Sequence, residues 1–96
     1  MLNIFEVIDK TGRKIRLTQE QLVHILRHKG MEQHLEDIKQ ILINPQKVIL
    51  RSDGETADYY LYFKYRKSPS KYLQVTVKYL NGDGFIITAY FVKDIH

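Results

Sequence analysis

His24 and His28 stand four residues apart in "LTQEQLVHILRHKG", a spacing that places both imidazoles on one face of a helix. An imidazole free in water titrates at ~6.5, so such a pair can give and take protons near neutral pH. Acid–base work is one use for it and zinc binding another. The zinc reading lacks its parts: Ile25 occupies the glutamate position of H-E-x-x-H, and no third ligand is evident. The helical wheel turns both histidines away from Leu22, Ile25 and Leu26, so two surface histidines without a joint task are the alternative. A second pair of interest lies in "IITAYFVKD", where Thr88 and Tyr90 alternate along a strand and share a face. Their hydroxyls could orient a phosphate. Both residue types also favour strands for packing reasons alone.

Cations accompany these groups. From Lys64 to Lys78 the chain carries Lys64, Arg66, Lys67, Lys71 and Lys78 and no acid, interleaved or flanked by Tyr60, Tyr62, Tyr65, Tyr72 and Tyr79. Basic and aromatic side chains mixed in this way suit phosphate contact with base stacking on single-stranded nucleic acid. A tyrosine-rich sheet with solvated lysines at its turns would look the same. The formal net charge of +4, from 15 Lys and Arg against 11 Asp and Glu, is only a mild bias toward a polyanion. No cysteine is present, which excludes disulfides, thiolate metal sites and cysteine nucleophiles. Asp53, Asp83 and the glycines beside them read as turns without the ligand count of a calcium loop. His34 flanks an apolar stripe and reads as half-buried; His96 is terminal.

The elements that must position these residues follow from the periodicity. The 96 residues, 44% hydrophobic, make one domain over 1–96. Leu2–Asp9 and Lys14–Leu17 alternate around "KTG", a short N-terminal hairpin. Thr18 with Gln21 three residues later has capping-box spacing, and Gly30 is a stop. A second helix is expected from Met31 to Ile43, its stripe Met31, Leu35, Ile38 and Leu42, ended by Pro45. Beyond Pro45 the period falls to two: "KVILRS", Ala57–Lys67, Lys71–Leu80 and Phe85–Lys93 are strands, with "NGDG" a hairpin turn. The N-terminus lacks the basic start and apolar core of a signal peptide. No segment reaches the ~20 apolar residues that span a bilayer. A soluble, cytoplasmic protein is expected.

The three long strands each carry an apolar row: Tyr59-Leu61-Phe63-Tyr65, Leu73-Val75-Val77-Tyr79 and Phe85-Ile87-Ala89-Phe91. Opposite them run Tyr60-Tyr62-Lys64-Arg66, Tyr72-Gln74-Thr76-Lys78 and Ile86-Thr88-Tyr90-Val92. The expected architecture is α+β. Two N-terminal helices pack on one face of an antiparallel sheet of about four strands, with a short N-terminal β-hairpin, and the other sheet face is polar and partly open.

"LTQEQLVHILRH", the run of Met31, Leu35, Ile38, Leu42 and Pro45, and the closing "IITAYF" occur in an order that resembles the barnase–EndoU–colicin–RelE-like nuclease superfamily, in its small phage-type members. The resemblance covers Leu17 to Val92. It implies a metal-independent RNA endonuclease, often a toxin or host-takeover factor, that needs no cofactor and acts on single-stranded or tRNA-like RNA. A neutralising protein partner is implied as well. Carried over by position, the helix histidine is His24 and the final-strand pair is Thr88 and Tyr90. A basic residue of the sheet corresponds to Arg51. Relatives place His-Pro one position later in the helix, where "RHKG" has no proline, so His28 is carried over only as an auxiliary. Lys64, Arg66, Lys71 and Lys78 are the expected RNA contacts. A non-catalytic RNA- or protein-binding module of the same fold is the alternative function.

Overall fold

The computed structural model describes residues 3–95. Asn3–Ile8 (β1) and Lys14–Thr18 (β2) form a hairpin. Gln19–Ile25 (α1) follows directly, then a 3-10 turn at Met31–Gln33 and the helix Leu35–Ile43 (α2). Four strands complete the chain: Lys47–Leu50 (β3), Thr56–Tyr62 (β4), Tyr72–Tyr79 (β5) and Asp83–Val92 (β6). The expected start of the first strand at Leu2, and His96, lie outside the described residues.

Local chemistry sets the helix boundaries. The Thr18 hydroxyl accepts a hydrogen bond from the Gln21 backbone N–H at 3.2 Å and caps α1. The sequence predicts one helix from Met31 to Ile43, and the structure divides it at His34, whose φ of −119° is not helical. The His34 ring is tied down at that seam. Its Nδ1 lies 2.8 Å from Asp37 Oδ2, and it meets Phe91 edge-on at 4.9 Å.

The sheet departs furthest from the sequence reading. Six strands lie in the order β1-β2-β6-β5-β4-β3, and β2 runs parallel to β6 while the other neighbours are antiparallel. An antiparallel sheet of about four strands is therefore incorrect. The hairpin is the sheet's outer edge, not an appendage. Parallel pairing is confined to Lys14–Arg16 opposite Asp83–Phe85, after which β2 gives way to α1, packed against β6. No turn signal marks a pairing between strands so distant in sequence, which is why periodicity alone left the hairpin unattached.

Gly84 makes that junction feasible. A Cβ at this position would lie 2.6 Å from the Lys78 carbonyl oxygen and 3.0 Å from Ile15 Cδ1. Backbone cannot swing aside as a side-chain tip can. Gly84→Ala is expected to lower stability by about 1–3 kcal/mol, the range for forced overpacking. A denaturant midpoint unchanged by the substitution would contradict so tight a junction.

One core unites the helices with one sheet face. Ile25 of α1, Ile38, Ile41 and Leu42 of α2, and Met31 between them are fully or almost fully buried against Ile15, Leu17, Tyr59, Val75, Val77 and Ala89. A bulge in β6 adjusts which residues take part. Thr88 pairs with Thr76 but Ile86 pairs with Val77, so Ile87 is the extra residue. The expected row Phe85-Ile87-Ala89-Phe91 is broken there. Ile86 enters the core before the bulge and Ala89 after it, while Phe85 moves to the open face opposite Lys78.

At one margin of the core Asp9, 5% exposed, accepts bonds from the backbone N–H groups of Thr11 and Arg13 and from the Tyr59 hydroxyl. Tyr59 and Tyr79 oxygens are 2.7 Å apart, and Arg13 stacks over the Tyr79 ring at 3.9 Å. Burial, then the Asp9 bond, pushes the Tyr59 phenol far above its usual pKa, so it stays a neutral donor. Among the described residues no helix is long and apolar enough to cross a membrane.

Candidate active site on the open sheet face

On the face away from the helices, strand register arranges side chains in rows across β4, β5 and β6. Asp58, Thr76 and Thr88 form one row, Tyr60, Gln74 and Tyr90 the next, and Tyr62, Tyr72 and Val92 a third. Arg51 follows β3. Its backbone N–H donates to the Thr56 carbonyl at 2.7 Å, which places it on the same face as Asp58.

The polar groups of the first two rows are bonded to one another. Arg51 donates from Nε and from a terminal nitrogen to the two Asp58 oxygens, each at 2.9 Å. Thr76 Oγ1 donates to Asp58 Oδ1 at 2.7 Å, and Gln74 Nε2 lies 3.4 Å from both that oxygen and the Tyr90 hydroxyl. Asp58, Gln74 and Thr76 are all less than one-tenth exposed, so this part of the face is a recess. The Arg51 guanidinium is held above its usual pKa first by its bond to Asp58, with smaller contributions from the Tyr90 and Tyr60 phenols. The guanidinium is thus a fixed cation paired with Asp58.

His24 lies on α1, whereas His28 lies in the turn after it, because the helix expected to run to Gly30 ends at Ile25. The His28 ring stacks on Tyr90 with centroids 5.2 Å apart and planes 26° apart, and His24 meets His28 edge-on at 6.4 Å. A cleft of about 250 Å³ is lined by His28, Lys29, Arg66, Ser68, Ser70 and Tyr90, among others. Arg66 is fixed at its rim: the guanidinium lies 3.7 Å over the Phe91 ring and Nε donates to the Ser70 carbonyl at 2.9 Å. His24 lines a different cleft, with Glu20, Arg27 and Ile87. Both histidines are solvent-exposed.

Of the residues singled out from sequence, the structure brings His28 and Arg66 together with Tyr90 around one cleft, and Tyr90 borders the recess that holds Arg51, with Thr88 one row away. It does not bring the four basic residues onto one face. β4 ends at Tyr62 rather than Lys67, so Lys64 sits in the following turn beside His34, and Lys71 Nζ donates to the Lys64 carbonyl at 3.2 Å. Lys78 lies toward the far end of β5, where Glu55 holds its ammonium at 2.6 Å and raises its pKa.

Sequence reasoning missed Asp58, which organises the recess. Its signal was faint but present: an aspartate in "TADYYLY", among the strand-favouring Thr56, Tyr59, Tyr60 and Tyr62. Gln74 and Thr76 fell in the polar row but had no assigned task.

A guanidinium and hydroxyls are groups that contact phosphate, and the imidazole stacked on Tyr90 is a group that can move a proton. Among the described residues no three His, Asp or Glu side chains converge as metal ligands. A family model described as phage-Barnase-EndoU-ColicinE5/D-RelE like nuclease2 matches residues 5–95. No curated protein and no solved structure matches the chain.

Proposed function

Since the chain belongs to the phage-type barnase–EndoU–colicin E5/D–RelE-like nuclease family, we propose that its open sheet face cleaves RNA by attack of the substrate's own 2′-hydroxyl. The observation that carries the proposal is the position of Tyr90, whose ring stacks on His28 and whose hydroxyl lies 3.4 Å from Gln74 Nε2, itself bonded to the Asp58 carboxylate that holds Arg51. The 2′-oxygen attacks phosphorus and loses its proton, and the 5′-oxygen leaves with a proton. The products are a 2′,3′-cyclic phosphate and a 5′-hydroxyl. His28 is the proton-transfer group because it, and not His24, touches Tyr90; His24 is its auxiliary. Arg51 stabilises the phosphorane charge, Thr88 and Tyr90 orient the phosphate, and Arg66 contacts the flanking backbone. Lys64, Lys71 and Lys78 are peripheral phosphate contacts. A phage factor or toxin acting on RNA in the cytoplasm, restrained by a neutralising protein, fits this chemistry.

No metal is needed in this scheme. Purified protein incubated with total RNA is expected to cut equally well in EDTA. Cleavage abolished by the chelator and restored by zinc or magnesium would overturn the mechanism.

One observation favours the second reading, a non-catalytic RNA-binding module. Two nitrogens of Arg51 are already committed to Asp58, leaving less of the fork for a phosphate. In that case the protein would retain RNA through the recess and release it intact.

A further inference from the structure

The third row of the open face has no task in the scheme above. Tyr62 and Tyr72 are directly opposed on β4 and β5, with ring centroids 5.0 Å apart and planes tilted by 50°. Tyr62 is 45% exposed. Two residues along each strand separate this row from Tyr60, Gln74 and Tyr90, a distance of about 7 Å. That is on the scale of one nucleotide step along an extended strand of RNA. The chain between β4 and β5 carries Lys64, Arg66, Lys67 and Lys71 and no acid, so the backbone of a polyanion can pass beside the rings.

We infer that Tyr62 and Tyr72 form a stacking subsite for one unpaired nucleobase adjacent to the scissile phosphate. The location rests on the ribonuclease reading of the neighbouring recess. A tyrosine ring offers a π-face that any base can cover, so the subsite contributes affinity with little base preference. It also selects strandedness. A base inside a duplex has both faces covered by its neighbours and cannot be laid on a protein ring, whereas a loop or single strand can splay one out. The substrate class is therefore RNA with at least one unstacked nucleotide next to the cut. A bare cross-strand aromatic pair would explain the two rings by sheet stability alone, at about 0.2–1 kcal/mol. It would not need one of them nearly half exposed at the edge of a polar recess.

The test is binding of a fluorescently labelled, fully 2′-fluoro single-stranded RNA oligonucleotide, which lacks the attacking hydroxyl and cannot be cut. Tyr72→Ala and Tyr62→Ala should each weaken it ~5- to 100-fold, the range for losing one stacked base. Tyr→Phe at either position keeps the π-face and should bind as wild type. Tyr72→Leu keeps apolar bulk without the ring, so it should stay folded and still weaken binding over the same range, which separates lost stacking from any unfolding of the alanine variant. On cleavable RNA the same variants should raise KM and leave kcat within about twofold, because the rings do not touch the reacting atoms. Alanine and leucine variants that bind as wild type would overturn the subsite and leave a cross-strand pair only. Loss of binding in a protein that cuts no RNA would keep the subsite and retire the catalytic reading. Normal cleavage with unchanged KM in the variants would do the reverse.

Discussion

His28→Ala will slow RNA cleavage ~10²- to 10⁴-fold, the contribution of one positioned proton-transfer group. The side chain is exposed and its ring contacts are with Tyr90 and His24, so its removal exposes no core and should shift the melting temperature by only a few degrees. Initial rates and thermal melts on the same preparations separate the two effects. The variant should also flatten one limb of the pH–rate profile, which loss of mere binding area would not do. His24→Ala should have the smaller effect, because its ring reaches the recess only through His28. A His24 variant more damaged than the His28 variant would restore the sequence-based order of the two and displace the geometry as a guide.

Asp58→Ala will be the most destabilising single change at the site. Its carboxylate accepts from Arg51, Thr76 and Gln74; removing it strands the almost fully buried Thr76 hydroxyl and unpairs the Arg51 guanidinium, while Gln74 keeps its contacts to Thr76 and Tyr90. The stranded hydroxyl costs about 1–3 kcal/mol and the lost bonds to a half-exposed Arg51 roughly 1 kcal/mol more, so a total of roughly 2–4 kcal/mol is expected. For a domain of this size that lowers the melting temperature by roughly 10–20 °C. Arg51 would also lose its anchor, and cleavage measured well below the melting point should fall with it. Asp58→Asn keeps acceptors for Thr76 and Gln74 but not the charge that fixes Arg51, so it should recover much of the stability and little of the rate. If both variants melt and cut like the wild type, Asp58 neither organises the recess nor positions Arg51.

What the sequence shows and what it hides divide along a physical line. Local signals were legible: the Thr18 cap, the stop at Pro45, the turn at "NGDG" and the period-two rows of β5 and of β4 as far as Tyr62 each depend on neighbours a few residues away, although Tyr65, expected in the apolar row, is exposed. Non-local pairing was not. Nothing in Lys14–Arg16 or Asp83–Phe85 announces that they lie side by side in parallel, and a four-stranded antiparallel sheet was the result of reading each hairpin alone. The bulge at Ile87 was equally silent, because "GFIITAYF" alternates in either frame. It matters for the site: without it Thr88 and Tyr90 could not share a face with Phe85. The family resemblance pointed at His24, whereas packing brings His28 onto Tyr90, since α1 ends at Ile25 and the following turn carries His28 toward β6. Asp58 stayed hidden because a single carboxylate in a strand signals nothing until Arg51, Thr76 and Gln74 are seen around it.

The central claim is that this recess cuts RNA through the substrate's 2′-hydroxyl, and one substrate pair tests it most directly. Take a single-stranded DNA oligonucleotide with one ribonucleotide, and the same oligonucleotide with none. Wild-type protein in EDTA should cut the first only on the 3′ side of the ribonucleotide, leaving a 2′,3′-cyclic phosphate and a 5′-hydroxyl, and should leave the second intact. Cleavage of the all-DNA strand, or a 5′-phosphate at the new end, would contradict the account.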